Sequence, residues 1–358
     1  MIRRLRRWGR GQGAASFEIC AAKLIANENA GLAVSAAHQA HGAIGMTREY
    51  RLQQFTRRLN TWRSEFGTSQ ALQHRLGTAA GSASSFAHLV TDDTHWNTDM
   101  ALTETSDVHI ELDGDVAIIE IRRGPANYFD QALLADIAGS ATALATDTSC
   151  RAIVLCSEGR HFCAGADFAA APIDDSQAER SRLLYREAAR LFDIELPVIA
   201  AVQGAAVGGG LGLACSADFR VGGPTSRFAA NFARLGFSPG FGLSATLPRI
   251  IGHQAAQDML YSGRWVPSEE AAARGLLDRV VPDDQVREAA LLWAHEIARS
   301  ASLAVRSIKA TLRAGLSRDV RTALDRELAE QARLWDTDDS REGIAASLAR
   351  REPTFHGS

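Results

Sequence analysis

From about Val108 onward the chain alternates short apolar runs with longer amphipathic ones, and this alternation limits the fold more than any other feature. VHIELDG and DVAIIEI read as two short strands around an Asp-Gly turn. A helix is predicted for DQALLADIAGSATALAT, a buried strand for CRAIVLCSE, a second helix for AERSRLLYREAARLFDIE and another buried strand for PVIAAVQG. Strands taken in turn with helices predict an α/β sheet unit. Beyond Gly236 the chain reads as mostly helical: SATLPRIIG, HQAAQDMLYSG, VREAALLWAHEIARS, LAVRSIKATLRAG and DVRTALDRELAEQARLWD. The expected fold class is therefore α/β with a C-terminal helical region.

The first hundred residues are built differently. AAKLIANENAGLAVSAAHQ is Ala/Leu-rich and free of proline, and REYRLQQFTRRLNTWRSEF carries Tyr50, Leu52, Phe55, Leu59 and Trp62 at spacings that give a basic helix an apolar stripe. The stretch 77–105 is small, polar and aperiodic, as a linker is. Three segments result: an α-helical fragment over 1–76, a linker over 77–105, and an α/β domain over 106–358. Residues 1–76 hold 12 Lys+Arg against 4 Asp+Glu, a net of +8, and the remainder holds 27 against 38, a net of −11. Basic runs interleaved with aromatics are missing beyond residue 10, so no nucleic-acid partner is expected.

No run of eighteen apolar residues exists, so no membrane span is expected. The opening MIRRLRRWGR is basic, but Glu18 arrives before an apolar core can form behind it, so no secretory leader is read and a cytoplasmic location is expected. The cysteines, Cys20, Cys150, Cys156, Cys163 and Cys215, show no CxxC pair and read as buried small hydrophobes of a reducing compartment. No metal site is expected.

Two glycine-containing loops carry the chemistry. EGRHFCAGADF (Glu158–Phe168) comes after one buried strand, and GAAVGGGLGLACSADFR (Gly204–Arg220) comes after the next and opens a helix. Glycine lets backbone N–H groups come close to a ligand, and a helix start leaves such groups without internal acceptors. Two loops of this kind can aim two donors at one oxygen. A GGG run by itself serves a tight turn or close helix packing equally well. Neither loop has the spacing of a dinucleotide or phosphate-binding motif.

Together the loops resemble the crotonase (enoyl-CoA hydratase/isomerase) superfamily over about residues 106–350. Phe162-Cys163-Ala164-Gly165-Ala166-Asp167 is similar to the family's F-x-A/S-G-x-D, Gly204–Gly210 to its G-x-x-x-G-G-G, and Ala214–Arg220 to its A-x-x-x-D-F-R; ARLGFSPGFGLSATLPRIIG and GLLDRVVP extend the likeness. The resemblance implies a spiral of ββα units, a homotrimer or dimer of trimers, and an acyl-CoA substrate with no cofactor beyond the CoA it carries. It implies an oxyanion hole formed by the N–H groups of Ala166 and Gly209. Phe162, Ala164, Gly165, Asp167 and Gly208 would line the substrate, and Lys309 matches a lysine near the CoA phosphates, although a solvated helix lysine fits that position almost as well. Asp167 and Asp218 read as loop and strand-end anchors.

The departures matter as much. Hydratases of the family place one glutamate two residues after GGG and another before L-G-x-x-P; those positions here are Gly212 and Phe232. General acid/base catalysis contributes about 10²–10⁴-fold, so water addition is expected to be weak. The pocket should be roomier at Gly212 and drier at Phe232. His161, Tyr128, Asp130 and Ser238 are substitutes in segments that border the pocket in relatives, though each also has a structural reading.

The stretch AAHQAHGAIGMTREYRLQQFTRRLNTWRSEFGTSQ resembles the tail of an acyl-CoA dehydrogenase C-terminal helical domain, with Gln39–Gly45 at its Q-x-H-G-G-x-G turn. Phe66 stands before Gly67-Thr68 where many relatives carry a catalytic glutamate, and the elements that complete a flavin site are absent from the sequence, so no intact FAD site is expected. An enolate-forming enzyme and a non-catalytic acyl-CoA binding or interaction subunit both fit the later domain; a flavin-dependent dehydrogenase component fits only the fragment. Met100 to Ser358 alone is the size of one crotonase unit, which suggests two joined reading frames. Deleting residues 1–99 should then leave solubility and thioester binding intact, as measured by calorimetric titration with an acyl-CoA; a truncated protein that unfolds or stops binding would contradict the fusion reading.

Overall fold

The structure is a computed structural model, and it describes Lys23, Ile25, residues 107–166 and residues 177–358. The chain divides into two units, Met1–Ala101 and Leu102–Ser358. Lys23 and Ile25 are helical, and the remainder of the expected N-terminal helices lies outside the described residues.

The second unit opens with a hairpin. β1 (Val108–Asp113) pairs antiparallel with β2 (Val116–Ile121), and Gly114 at φ +59 takes the first place of the two-residue turn. β3 (Ala152–Ser157), β4 (Val198–Val202), β6 (Phe219–Gly222) and β9 (Arg279–Val280) add in parallel, giving one sheet of order β1-β2-β3-β4-β6-β9. β2, β3 and β4 are buried along their whole lengths, because successive side chains alternate faces and both faces are covered.

On one face Ile119, Ile153, Leu155 and Ala200 pack with Leu133, Leu134, Ile137 and Ala141 of α1 (Gln131–Thr146) and with Ala188 and Leu191 of α2 (Gln177–Leu191). Asp130 caps α1, its Oδ1 accepting the Leu133 N–H at 2.9 Å. On the other face Ile118, Val154, Ile199 and Val221 meet Val286, Ala290, Ala294 and Ala298. Those four stand every fourth residue on the helix Val286–Ala298, which gives it one small-residue seam.

A smaller sheet joins β5 (Ala205–Val207), β7 (Arg227–Ala229) and β8 (Trp265–Pro267), and Cys163 bridges to Ala206 as its outer member. Each turn of chain thus runs from a strand of the large sheet to a strand of the small one and then to a helix; β4, β5 and α3 (Gly209–Ser216) form the clearest such unit. The remaining helices are, in chain order, α4 (Leu243–Ile251), α5 (His253–Ser262), α6 (Ser268–Ala273), α7 (Val286–Ala298), α8 (Ser302–Leu312), α9 (Leu316–Leu334) and α10 (Asp338–Leu348). Of these the short α6 and α10 escape the periodicity, as do β5, β7, β8 and β9, which are too brief to show any.

The N-terminal ends of β4 and β6 are tied by charge. Asp218 accepts from Val198 N at 2.8 Å, Lys309 Nζ at 2.7 Å and Arg313 at 3.0 Å. The Lys309 ammonium also donates to Leu196 O at 2.7 Å and is almost wholly buried. Burial pulls its pKa down, and the Asp218 carboxylate opposes that. Removing one partner strands buried charge, so Asp218→Ala should cost about 3 kcal/mol in urea unfolding. A loss near zero would show that the cluster is not a structural tie.

Candidate active site

The second glycine loop begins where β4 ends. Gly204, at φ +58, turns the chain into β5, and a Cβ there would overlap the Arg160 carbonyl. The three glycines after β5 each answer a different demand. Gly208 caps α3 at φ +54 and ψ −119, a conformation that side-chain-bearing residues avoid. A Cβ on Gly209 would run into the Phe129 ring, and one on Gly210 into the Cys163 carbonyl. The Gly208 N–H donates to Ala229 O at 2.8 Å. Gly209 is the first residue of α3, with no carbonyl one turn earlier to accept its N–H, and that N–H meets no backbone acceptor among the described residues.

The first loop is fastened onto the second by backbone. Cys163 N donates to Ala205 O at 3.1 Å and Val207 N to Cys163 O at 3.0 Å. Ala164 N donates to Ala126 O at 3.0 Å, and Gly165 O accepts from Phe129 N at 2.9 Å. Gly165, at φ +92, lies so close that a Cβ on it would be 2.9 Å from Val207 O and 3.8 Å from Gly209 N. Two residues on these adjoining loops, Ala166 and Gly209, are partly exposed, and the Ala166 N–H also has no backbone acceptor among the described residues. The arrangement brings to adjoining loops two donors that have no backbone acceptor among the described residues.

Phenyl rings surround them. Phe129 abuts Gly209, and Phe241 crosses Phe129 edge-on with centroids 5.4 Å apart. Phe232 lies beside Gly208 and packs against Phe237 with centroids 6.3 Å apart. The sequence reading puts open room at Gly212; the structure corrects it. A Cβ at Gly212 would be 2.6 Å from Phe241 Cβ and 2.7 Å from its ring, so Phe241 fills the space that a longer residue there would need.

The other expected residues divide clearly. Phe162 is fully buried in the main core, where its side chain anchors the loop. Ala164, Gly165 and Gly208 belong to the two loops through their backbones. Asp167 lies outside the described residues, as does most of the adjoining 169–177 stretch. Lys309 is not beside the loops: it sits at the N-terminal ends of β4 and β6, whereas the loops leave the opposite ends. Its ammonium is occupied by Asp218 and Leu196, which corrects the expected phosphate contact.

Asp130 caps α1 and pairs with Arg123. His161 Nδ1 accepts the Ala205 N–H at 3.3 Å, and burial, then Arg227 and Arg160, hold the imidazole pKa below its usual value. The carbonyl of Ser238 accepts from Gln331 at 3.0 Å, and Tyr128 is exposed. Burial pushes the thiols of Cys156 and Cys163 up to about 12 and Cys215 up to about 11, as inert core cysteines require. No group of three metal-ligating side chains occurs among the described residues.

A family model described as Enoyl-CoA hydratase/isomerase matches residues 111–358, and one described as Acyl-CoA dehydrogenase, C-terminal domain matches residues 3–81. The chain is 36% identical over 247 residues to the 2,3-dehydroadipyl-CoA hydratase of Escherichia coli (strain K12), which covers 68% of this chain and 95% of that protein. It is 32% identical over 250 residues to the crotonyl-CoA hydratase of Syntrophomonas wolfei, covering 69% of this chain and 96% of that one. A crystal structure of an enoyl-CoA hydratase/isomerase from Pseudoalteromonas atlantica T6c superposes with a TM-score of 0.63 at 27% identity, over 70% of this chain and all of the other. The strand-strand-helix spiral expected from the sequence is the fold they share.

The contact between Gly212 and Phe241 gives a direct test. Gly212→Ala overpacks a filled site and should cost about 1–3 kcal/mol. Combined with Phe241→Gly the same change should become neutral or slightly stabilising, since alanine favours a helix. A double-mutant cycle by urea unfolding with coupling near zero would contradict the packing described.

Proposed function

The chain belongs to the enoyl-CoA hydratase/isomerase family over residues 111–358, and on that premise we propose that it holds an acyl-CoA thioester with the carbonyl oxygen between the N–H groups of Ala166 and Gly209. The observation that carries this reading is the pair of donors, on two interlocked loops, without backbone acceptors among the described residues. When the α-carbon gains or loses a proton, negative charge gathers on that oxygen, and each preorganised donor lowers the barrier by roughly 3–4 kcal/mol. The rings of Phe129, Phe232 and Phe241 keep the surroundings apolar, where such hydrogen bonds are strongest.

The residues at 212 and 232 can move no proton. Glycine has no side chain and phenylalanine no ionisable group, and Phe232 offers a water molecule none of the two to four polar partners it needs. The reaction served best is therefore one that forms the enolate and returns its proton through the substrate or another group, a double-bond shift or related lyase step. The reading needs no cofactor besides the CoA of the substrate. It includes a homotrimer or dimer of trimers, a cytoplasmic setting, and an N-terminal fragment joined to the enzyme without a working flavin site.

Crotonyl-CoA supplies the test. The full chain should bind it in calorimetric titration and hydrate it with kcat/KM well below the ~10⁶ M⁻¹s⁻¹ of efficient enzymes. Hydration at or above that rate would contradict the account of positions 212 and 232, and failure to bind any acyl-CoA would contradict the site itself.

A further inference from the structure

Phe241 has a bulky side chain on a backbone at φ +60, with Gly242 next in the chain at φ +71. Side chains of this size rarely adopt the left-handed region, and such outliers persist only where the surroundings over-determine them. Here two helices do so. Glu327, on the buried stripe of α9, turns both carboxylate oxygens to the turn: one accepts Gly242 N at 2.8 Å, the other Ser244 N at 2.9 Å and Ser244 Oγ at 2.6 Å. Gln331, one turn further along α9, donates to Ser238 O at 3.0 Å and Pro239 O at 3.2 Å. Tyr185 of α2 donates its hydroxyl to Gln331 Oε1 at 2.8 Å. A side chain at Gly240 would overlap that hydroxyl. The whole turn from Ser238 to Ser244 is thus strapped by three polar side chains inside the protein.

The strap fixes the placement of one ring. Phe241 is 1% exposed, crosses Phe129 at 63°, and lies 3.4 Å from the point where a Cβ on Gly209 would stand. Together with its contact at Gly212, this makes the start of α3 a wall of two crossed phenyl groups. Both are fixed beside Gly209.

We propose that Phe241 is a specificity-determining residue that restricts the site to acyl-CoA thioesters unbranched at the α-carbon, and that Glu327 is the positioning residue that holds its ring in place. The inference rests on the reading that the thioester carbonyl sits at Ala166 and Gly209. An α-carbon is bonded directly to that carbonyl, so it is the part of the acyl group brought nearest the crossed rings. A planar, unbranched chain leaves along their faces, whereas a methyl branch at that carbon needs the volume Phe241 fills. A well-packed wall of this kind resists even one added carbon.

The experiment compares crotonyl-CoA with tiglyl-CoA, its α-methyl analogue, by calorimetric titration of the full chain. The wild-type protein should favour crotonyl-CoA by about tenfold or more, the usual discrimination for one misplaced methyl group. Phe241→Gly removes the ring and suits the left-handed backbone, and should bring the ratio to within about threefold. Phe241→Leu should shift it the same way by less, which keeps the test decisive if the glycine variant does not fold. Glu327→Gln offers one acceptor oxygen where three donors converge and should also narrow the ratio. Asp218→Asn, which loosens the far end of the sheet, separates positioning from general instability: it should lower the melting temperature and leave the ratio at its wild-type value. A wild-type protein that binds neither thioester would overturn the site reading. One that binds crotonyl-CoA, with a ratio unmoved in both Phe241 variants, would overturn this proposal alone. Narrowing with the Phe241 variants but not with Glu327→Gln would refute the role given to Glu327.

Discussion

Two hydrogen bonds between loops, Cys163 N to Ala205 O and Val207 N to Cys163 O, fix the geometry on which the rest of the site depends. They lay the end of the first loop along β5, which leads directly into the glycines that open α3. With the backbones in register, Gly165 comes within van der Waals reach of Val207 and Gly209, and no side chain fits between them. The helix start then supplies one donor and the loop beside it the other. Because both donors are backbone atoms held by sheet pairing, they need no reorganisation when charge develops on a ligand oxygen.

Much of this was legible in the sequence for a simple reason: the strands that position the loops are buried on both faces, so their apolar runs stand out. AIVLCS and VIAAV are found as strands at those places, and the glycines mark where backbone must approach backbone. The third element of the site was not legible. Phe241 reads as one more apolar residue in GFGLS, and nothing in its neighbours shows that the chain is left-handed there. Glu327 and Gln331 did leave a trace: they continue the stripe Leu316, Val320, Leu324 into the protein interior, where polar residues are rare unless they are paired. Lys309 misled because the family likeness fixes a position along a helix, not which end of a sheet that helix reaches.

The proposed site separates two functions that acid/base enzymes combine. Polarising a carbonyl needs only fixed dipoles, the role we propose for the N–H groups of Ala166 and Gly209. Moving a proton needs a group whose protonation changes, and at positions 212 and 232 the chain has a hydrogen atom and a phenyl ring. The rings also work against water, since they offer no partner for its hydrogen bonds. Relatives named as hydratases share about a third of the sequence over the matched region, so the difference in chemistry we propose would fall on a few positions around α3 and the turn before α4. Thioester polarisation is the step we propose this arrangement preserves.

That step can be observed without any turnover. Butyryl-CoA labelled with carbon-13 at its carbonyl is saturated and cannot be hydrated, and isotope-edited infrared difference spectroscopy isolates its C=O stretch in the bound state. Two donors in an apolar site should draw electron density onto the oxygen and move the band to lower wavenumber than in water. A band at or above its aqueous position, with the ligand shown by titration to be fully bound, would mean that Ala166 and Gly209 do not meet the carbonyl, and the central claim would fall.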